Sequence, residues 1–178
     1  MTAECGRCAA LCCMALAFDK GARFGHDKPA GRPCPNLGRH LCTIHDALED
    51  KGFSGCAAYD CLGAGQRVTQ ELFGGASWQD EPELMRPMID AFAHMRLLHS
   101  LWELLETALT LPLTPAERQA AEAHIAAIRA PLTRDTVAAR ATGALQTEVH
   151  LFLRGLERHV TGRAPVTLPP PPAPRRPA

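Results

Sequence analysis

No residue after Cys61 is a cysteine. All eight precede or occupy that position: Cys5, Cys8, Cys12, Cys13, Cys34, Cys42, Cys56 and Cys61. A chain that used cysteine only as a small hydrophobe would scatter it along its length. Other scarcities narrow the function class. Lys+Arg and Asp+Glu both number 19, so the formal net charge is zero. The basic excess by which nucleic-acid binders neutralise phosphates is therefore missing, and nucleic acid is not an expected partner. No apolar run reaches the length of a bilayer span, so a membrane is not expected either. The N-terminus has no basic stretch leading into an apolar one, as a secretory signal would. A cytoplasmic location is the expectation, and there thiols are kept reduced. Aromatics are only 5% of the chain, which leaves Leu, Ala, Met and a few Phe to build the core.

Hydrophobic residues make up 46% and charged residues 21%, a composition expected to fold. Residues 1–78 read as a cysteine-rich and glycine-rich module of loops and short helices. Strand signals there are weak. Core candidates are Leu11, Leu16, Phe18, Phe24, Leu37, Ile44, Leu48 and Phe53. So small a unit buries little apolar surface and needs a staple, which here would be metal. Residues 80–162 form a helical extension. A helix over 81–109 is marked by Leu84, Met88, Phe92, Met95, Leu98, Trp102, Leu105 and Leu109 at three- and four-residue steps. Thr114-Pro115-Ala116-Glu117 is a capping box with proline in the first helical position, and it opens a helix to about Arg129. A third helix is expected over 134–160, with Val137, Ala141, Leu145, Val149, Phe152, Leu156 and Val160 as its stripe. The fold class is thus a small irregular metal-stapled module plus a mainly α part of about three antiparallel helices. Residues 163–178, with Pro169–Pro172, are expected to be a disordered or polyproline tail.

The cysteine spacing carries the chemistry. Cys5, Cys8 and Cys12 would share one face if their segment were helical, with Cys13 turned about 100° away. On that assumption Cys13 belongs to a second site or to packing. Seven residues separate Cys34 from Cys42, with Asn36-Leu37-Gly38 making a turn, and four separate Cys56 from Cys61. Eight thiols suffice for two four-thiolate sites, or for one site with thiols to spare. Sulfur ligands suit tetrahedral zinc and equally suit an iron–sulfur cluster. Disulfides and inert buried thiols are the competing readings. The first sits badly with a reducing compartment, the second with such dense clustering. His45 follows Cys42 at a Cys-x-x-His spacing, although a partly exposed loop histidine is the plainer reading. His26 and His40 are weaker candidates. His94 and His99 are five apart, which misses the i, i+4 spacing of a helical metal site. Gly63-Ala64-Gly65 resembles the start of a dinucleotide fingerprint, but no strand precedes it and the third glycine is absent. Asp60 is a candidate acceptor beside Cys61. No catalytic or organic-cofactor residues stand out.

Cys5-Gly6-Arg7-Cys8-Ala9-Ala10-Leu11-Cys12-Cys13 is followed by Asp27-Lys28-Pro29-Ala30-Gly31-Arg32-Pro33-Cys34-Pro35-Asn36-Leu37. Then come Cys42-Thr43-Ile44-His45 and the late pair Cys56 and Cys61. This order resembles the YkgJ-type zinc- or iron-chelating domain, named for its CxxCxxCC motif. The spacing from Cys8 to Cys12 is one residue longer than that motif. Phe53-Ser54-Gly55 stands where the family usually has Arg-Pro before the seventh cysteine. The extension, through Gly63–Gln70 and Phe73-Gly74-Gly75, is similar to an actinobacterial branch of the family. The resemblance implies metal chelation by the eight cysteines, with a zinc or iron cofactor and a structural or carrier role. Flagellin lysine methylases share a similar cysteine arrangement, so an iron–sulfur protein with electron-transfer or methylase-like activity is the alternative. A protein partner bound through the helical extension is the third reading. The proline tail has no apolar periodicity and no cysteine. Deleting everything after Gly162 is expected to leave both the melting temperature and the metal content unchanged, as measured by calorimetry and native mass spectrometry.

Overall fold

A computed structural model describes residues 1–160. The tail expected over 163–178 lies outside the described residues. The chain opens with a 3-10 turn at Cys5–Arg7 and a short helix, α1, at Leu11–Ala15. A minimal antiparallel hairpin follows, β1 at Leu37–Gly38 and β2 at Leu41–Cys42, with Leu37 opposite Cys42. Next come α2 at Ser54–Ala57 and α3 at Ala64–Arg67, and α3 widens into a π-turn at Val68–Leu72. The larger helices are α4 at Met85–Ala108, α5 at Pro115–Arg129, α6 at Val137–Thr142 and α7 at Ala144–Gly155. The protein is mainly helical, with one two-stranded sheet among the described residues.

Helix α4 is the axis of the core. Met88, Phe92, Met95, Leu98 and Leu105 recur at helical steps and are all buried to within 1% of completely. Burying a side chain of this size stabilises the fold by about 1.5–3 kcal/mol, so this stripe outweighs any single polar contact. Ile125 and Ile128 of α5, Val137 and Ala141 of α6, and Val149 of α7 join the same cluster. So do Ala9, Leu11 and Met14 from the cysteine segment, and Ala64, Val68 and Leu72 from α3 and its π-turn. Trp78 is buried there too, and its indole N–H donates to the Ala9 carbonyl at 2.6 Å. No described helix is long and apolar enough to cross a membrane.

The expected helix over 81–109 forms with a 3-10 start at Pro82–Leu84, and the α-helix proper begins at Met85. Pro87 is accommodated because the first turn has no intrahelical acceptors for its N–H groups. The expected single helix over 134–160 is instead two. Gly143 adopts an extended conformation between α6 and α7, and an added Cβ there would collide with the Ala139 carbonyl. Val160, expected in its apolar stripe, is exposed. Of the core candidates in the cysteine segment, Leu11 lies in the main cluster, with Leu16 and Leu37 packed against it. Phe18, Phe24 and Phe53 form a separate aromatic group with His26, Phe18 stacking on Phe24 at 4.3 Å.

The capping box forms as the spacing predicts. Thr114 Oγ1 accepts the Glu117 N–H at 3.3 Å, and the Glu117 carboxylate accepts the Thr114 N–H at 2.8 Å. Glu117 also accepts from His159 at 3.0 Å and pairs with Arg158, which ties the end of the described chain to the start of α5. These hydrogen bonds, those from Thr114 foremost, hold the Glu117 carboxyl down to about 2. Thr114→Ala removes one side of the box and is expected to cost about 1 kcal/mol, read as a lower urea midpoint at unchanged slope.

Candidate metal centre

The segment that carries the first four cysteines is not one helix. Ala10 sits at φ 55, ψ 39, in the left-handed region, and ends any continuity between the 3-10 turn and α1. This conformation costs an L-residue about 1–2 kcal/mol. The kink lets the Leu11 N–H point at Cys8 Sγ, 3.5 Å away. The shared helical face expected for Cys5, Cys8 and Cys12 therefore does not exist. Cys12 and Cys13 do lie on α1, side by side between the buried Leu11 and Met14. Contrary to the expectation from helical spacing, the two thiols interact. A hydrogen bond between them lowers Cys12 below the ordinary thiol value and raises Cys13 above it.

The segments that carry the remaining cysteines are tied down in two sets of contacts. In the first, α3 is clamped to residues 2–9. Gln66 accepts the Glu4 N–H at 2.9 Å and donates to the Thr2 carbonyl at 2.7 Å. Thr69 accepts the Ala9 N–H at 3.0 Å and donates to the Gly65 carbonyl at 3.0 Å. Cys61 precedes α3, and its carbonyl accepts the Ala64 N–H at 2.9 Å. Burial raises Cys5, and the Cys12 and Cys61 thiolates add to the rise. Burial likewise lifts Cys8 to about 11, against the bond from Leu11, with Cys12 and Cys61 adding to the rise.

In the second, the Cys34 N–H donates to the Cys13 carbonyl at 3.0 Å. Cys34 leads into the hairpin that ends at Cys42. The Leu37 N–H donates back to the Cys34 carbonyl at 2.9 Å and closes the turn between them. Cys56 sits in α2 behind Phe53, and its N–H donates to the Phe53 carbonyl at 2.9 Å. His26 Nε2 lies 3.9 Å from Cys34 Sγ while its ring packs on Phe53. Cys13 is raised further by Cys42 and Cys34. Cys56 is raised by burial first, then by Cys34, Cys12 and Cys42.

Two polar groups beside these thiols were not legible in the sequence. Lys28 is only 3% exposed. Its backbone forms a β-bridge with Phe18, and its ammonium donates to the carbonyls of Met14 at 3.2 Å, Leu16, and Pro29 at 3.3 Å. Burial pushes its pKa down, while Cys34, Cys13, Cys12 and Cys56 push it up. The second group is Tyr59. Its hydroxyl is buried without a hydrogen-bond partner among the described residues. Arg96 covers the ring at 5.2 Å. Burial raises the phenol, with Cys61 and Cys12 as nearby negative charges when ionised.

The other candidates fall away from the thiols or are already committed. His45 is largely exposed beside Asp46, in keeping with the plainer reading. His40 is exposed, and Asp60 accepts the Leu62 N–H at 2.7 Å. His99 is buried against the Leu62 carbonyl, and burial lowers its pKa. Gly63 adopts φ 80 and starts α3 as a turn residue.

All eight cysteines are free thiols, and none is disulfide-bonded. The donor chemistry fits a soft cation: the sulfurs are reduced, and they are carried by the opening 3-10 turn, α1, β2, α2 and the loops between them. The distances are not closed. Among the described residues no three His, Cys, Asp or Glu side chains converge enough to hold one ion. No family model matches the chain, and neither does any solved structure. The uncharacterized protein YybG of Bacillus subtilis (strain 168) is 44% identical over 112 residues, which cover 62% of this chain and 40% of that protein.

Gly65 offers a test of the clamp. A Cβ there would lie 2.6 Å from Cys8 Sγ, so the sulfur must move. Gly65→Ala is expected to destabilise the fold by about 1–3 kcal/mol. Alkylation of Cys8 in metal-free protein should accelerate, with the rate at Cys56 unchanged, as followed by peptide mass spectrometry.

Proposed function

We propose that this chain is a metal-chelating protein that holds zinc or iron through the thiolates of Cys5, Cys8, Cys12, Cys13, Cys34, Cys42, Cys56 and Cys61, in a structural or carrier role. The observation that supports this reading best is the position of α1. Cys12 and Cys13 are adjacent on it, between the buried Leu11 and Met14, and the other six cysteines of the same segment are likewise free thiols. Gathering that many ionisable sulfurs has no packing advantage, because Leu or Val would fill the space with less polarity. Each thiol is worth more as a thiolate held by a cation, and metal binding would then add directly to folding free energy. The cysteine order resembles the YkgJ-type chelating domain, which agrees with this reading. The helices α4 to α7 supply a rigid base for the loops and offer their outer faces to a protein partner.

Zinc and an iron–sulfur cluster draw on the same donors. Anaerobic purification distinguishes them: a colourless protein with bound zinc supports a closed structural site, and a brown one supports a cluster with electron-transfer or cluster-dependent chemistry. Residues 8–16 and 61–78 share the main core with α4, whereas residues 17–60 contribute only packed edges to it. Removing metal with a strong chelator is therefore expected to speed hydrogen exchange in residues 17–60. Helices α4 to α7 should keep their protection and most of the circular dichroism. Unchanged exchange in 17–60 after complete metal removal, or no metal in the protein as purified and none taken up on reconstitution, would overturn the chelation reading.

A further inference from the structure

We propose that the solvent face of α4 is a self-association surface. On it a second copy of this chain lays its own α4 antiparallel, about a two-fold axis that passes between Leu97 and Ser100. This specifies the protein partner offered to the helical base, and it stands whether or not the thiols hold a cation.

Helix α4 is the axis of the core, yet one stripe of it stays open. Asp90, Ala93, Leu97, Ser100, Leu104 and Thr107 follow one another at three- and four-residue steps, and all are exposed. That alternation is the spacing of a seam between two paired helices. The centre of the stripe is apolar: Leu97 is 40% and Leu104 48% exposed. A single exposed leucine needs no explanation, but two stacked along one helix make a ridge. The order of sizes selects the partner. From Ala93 to Leu104 the stripe reads small, large, small, large. A second stripe turned end for end sets Leu97 against the partner's Ser100 and Leu104 against the partner's Ala93. Asp90 then faces the partner's Thr107, which brings no like charges together. Each leucine thus meets a small residue, and the two helices close without voids. A parallel pairing would set Leu97 on the partner's Leu97 and Ser100 on the partner's Ser100, alternating crowded layers with gaps.

Charge along one edge of the stripe favours the same arrangement. Arg96 directly precedes Leu97, and Glu103 directly precedes Leu104, so both lie on one edge. In the antiparallel pair Arg96 lies opposite the partner's Glu103, and Glu103 opposite the partner's Arg96. The two-fold axis therefore makes two opposite-charge contacts from one pair of residues. Among the described residues neither Arg96 nor Glu103 is in an ion pair. The Arg96 guanidinium is already seated over the rings of Tyr59 at 5.2 Å and Phe92 at 5.9 Å. It has little freedom left to lose on pairing. From Asp90 to Thr107 the seam is about 25 Å long. A single helix pair of that length is at the small end of protein interfaces, so monomer and dimer are expected to exchange at micromolar concentration.

The experiment is sedimentation equilibrium of the full chain, kept reduced so that no disulfide links two copies. Wild type is expected to show a monomer–dimer equilibrium with a micromolar dissociation constant. Leu97→Glu puts a carboxylate at the centre of the seam and should raise that constant about tenfold or more. Its circular dichroism should not change, because residue 97 lies outside the core. The charged edge tests the orientation. Glu103→Lys alone faces the partner's Arg96, and Arg96→Glu alone faces the partner's Glu103, so each variant should dimerise several-fold more weakly than wild type. Mixing the two should restore wild-type affinity, since every facing pair in the mixed dimer is again opposite in charge. Monomer at every concentration would overturn the proposal. So would a dimer indifferent to Leu97→Glu, a mixture no tighter than its components, or a dimer lost when metal is removed, since cations would then be the link. Should Arg96→Glu fail to fold, a benzoylphenylalanine photo-crosslinker at position 100 decides the orientation. Capture of the partner's Leu97 supports the antiparallel seam, and capture of the partner's Ser100 or the partner's Leu104 refutes it.

Discussion

Leu11 and Met14 lie three residues apart on α1 and are both fully buried against the α4 side of the core. Everything about the cysteine segment depends on that anchor. The turn of helix between them has to carry Cys12 and Cys13, so the position of these two sulfurs is set by hydrophobic burial and not by the sulfurs themselves. The loops that bring the other thiols are light by comparison. They have a two-residue hairpin, a four-residue helix and a separate aromatic stack. A rigid anchor under loosely built cysteine-bearing loops is the arrangement in which a bound cation would contribute most to order.

The electrostatics of the same region are finely balanced. The protein as a whole is neutral, yet the charges nearest the thiols are few: Lys28 is buried among carbonyls, and Arg96 lies over Tyr59. Most of the thiols that shift at all are pushed up, chiefly by burial and by one another. Cys12 alone is pushed down, because Cys13 donates to it. Burial thus works against the thiolate at most of these positions, and the bond from Cys13 favours it at Cys12.

Some of this was written plainly in local pattern. The α4 stripe repeats at helical steps over six turns, and the capping box needs only Thr114 and Glu117, so short-range rules suffice for both. The break at Gly143 was missed because the apolar stripe runs on through it, and periodicity is blind to a backbone that turns extended for one residue. The cysteine geometry failed for a similar reason: Ala10 is a strong helix former, and its left-handed conformation answers to Thr69 and Trp78, some sixty residues away. Lys28 was invisible because lysine at a loop reads as solvent-facing. Its burial depends on carbonyls that come together only when α1 and the 17–30 loop are folded. His26, a weaker candidate from its place before the Cys34 block, lies beside the Cys34 thiol while its ring packs on Phe53, a packing that spacing does not show.

The chain has two tryptophans, and they sit in opposite circumstances. Trp102 is half-exposed under the Arg129 guanidinium, which caps its ring at 5.1 Å. Trp78 is buried and bonded to the Ala9 carbonyl, one residue from Cys8. The indole therefore lies where the N-terminal strap meets the helical base. Its emission would redden if that strap lifted, while Trp102 stayed as an internal reference. Nature has in effect wired an optical gauge into the joint between the sulfur-bearing loops and the scaffold beneath them.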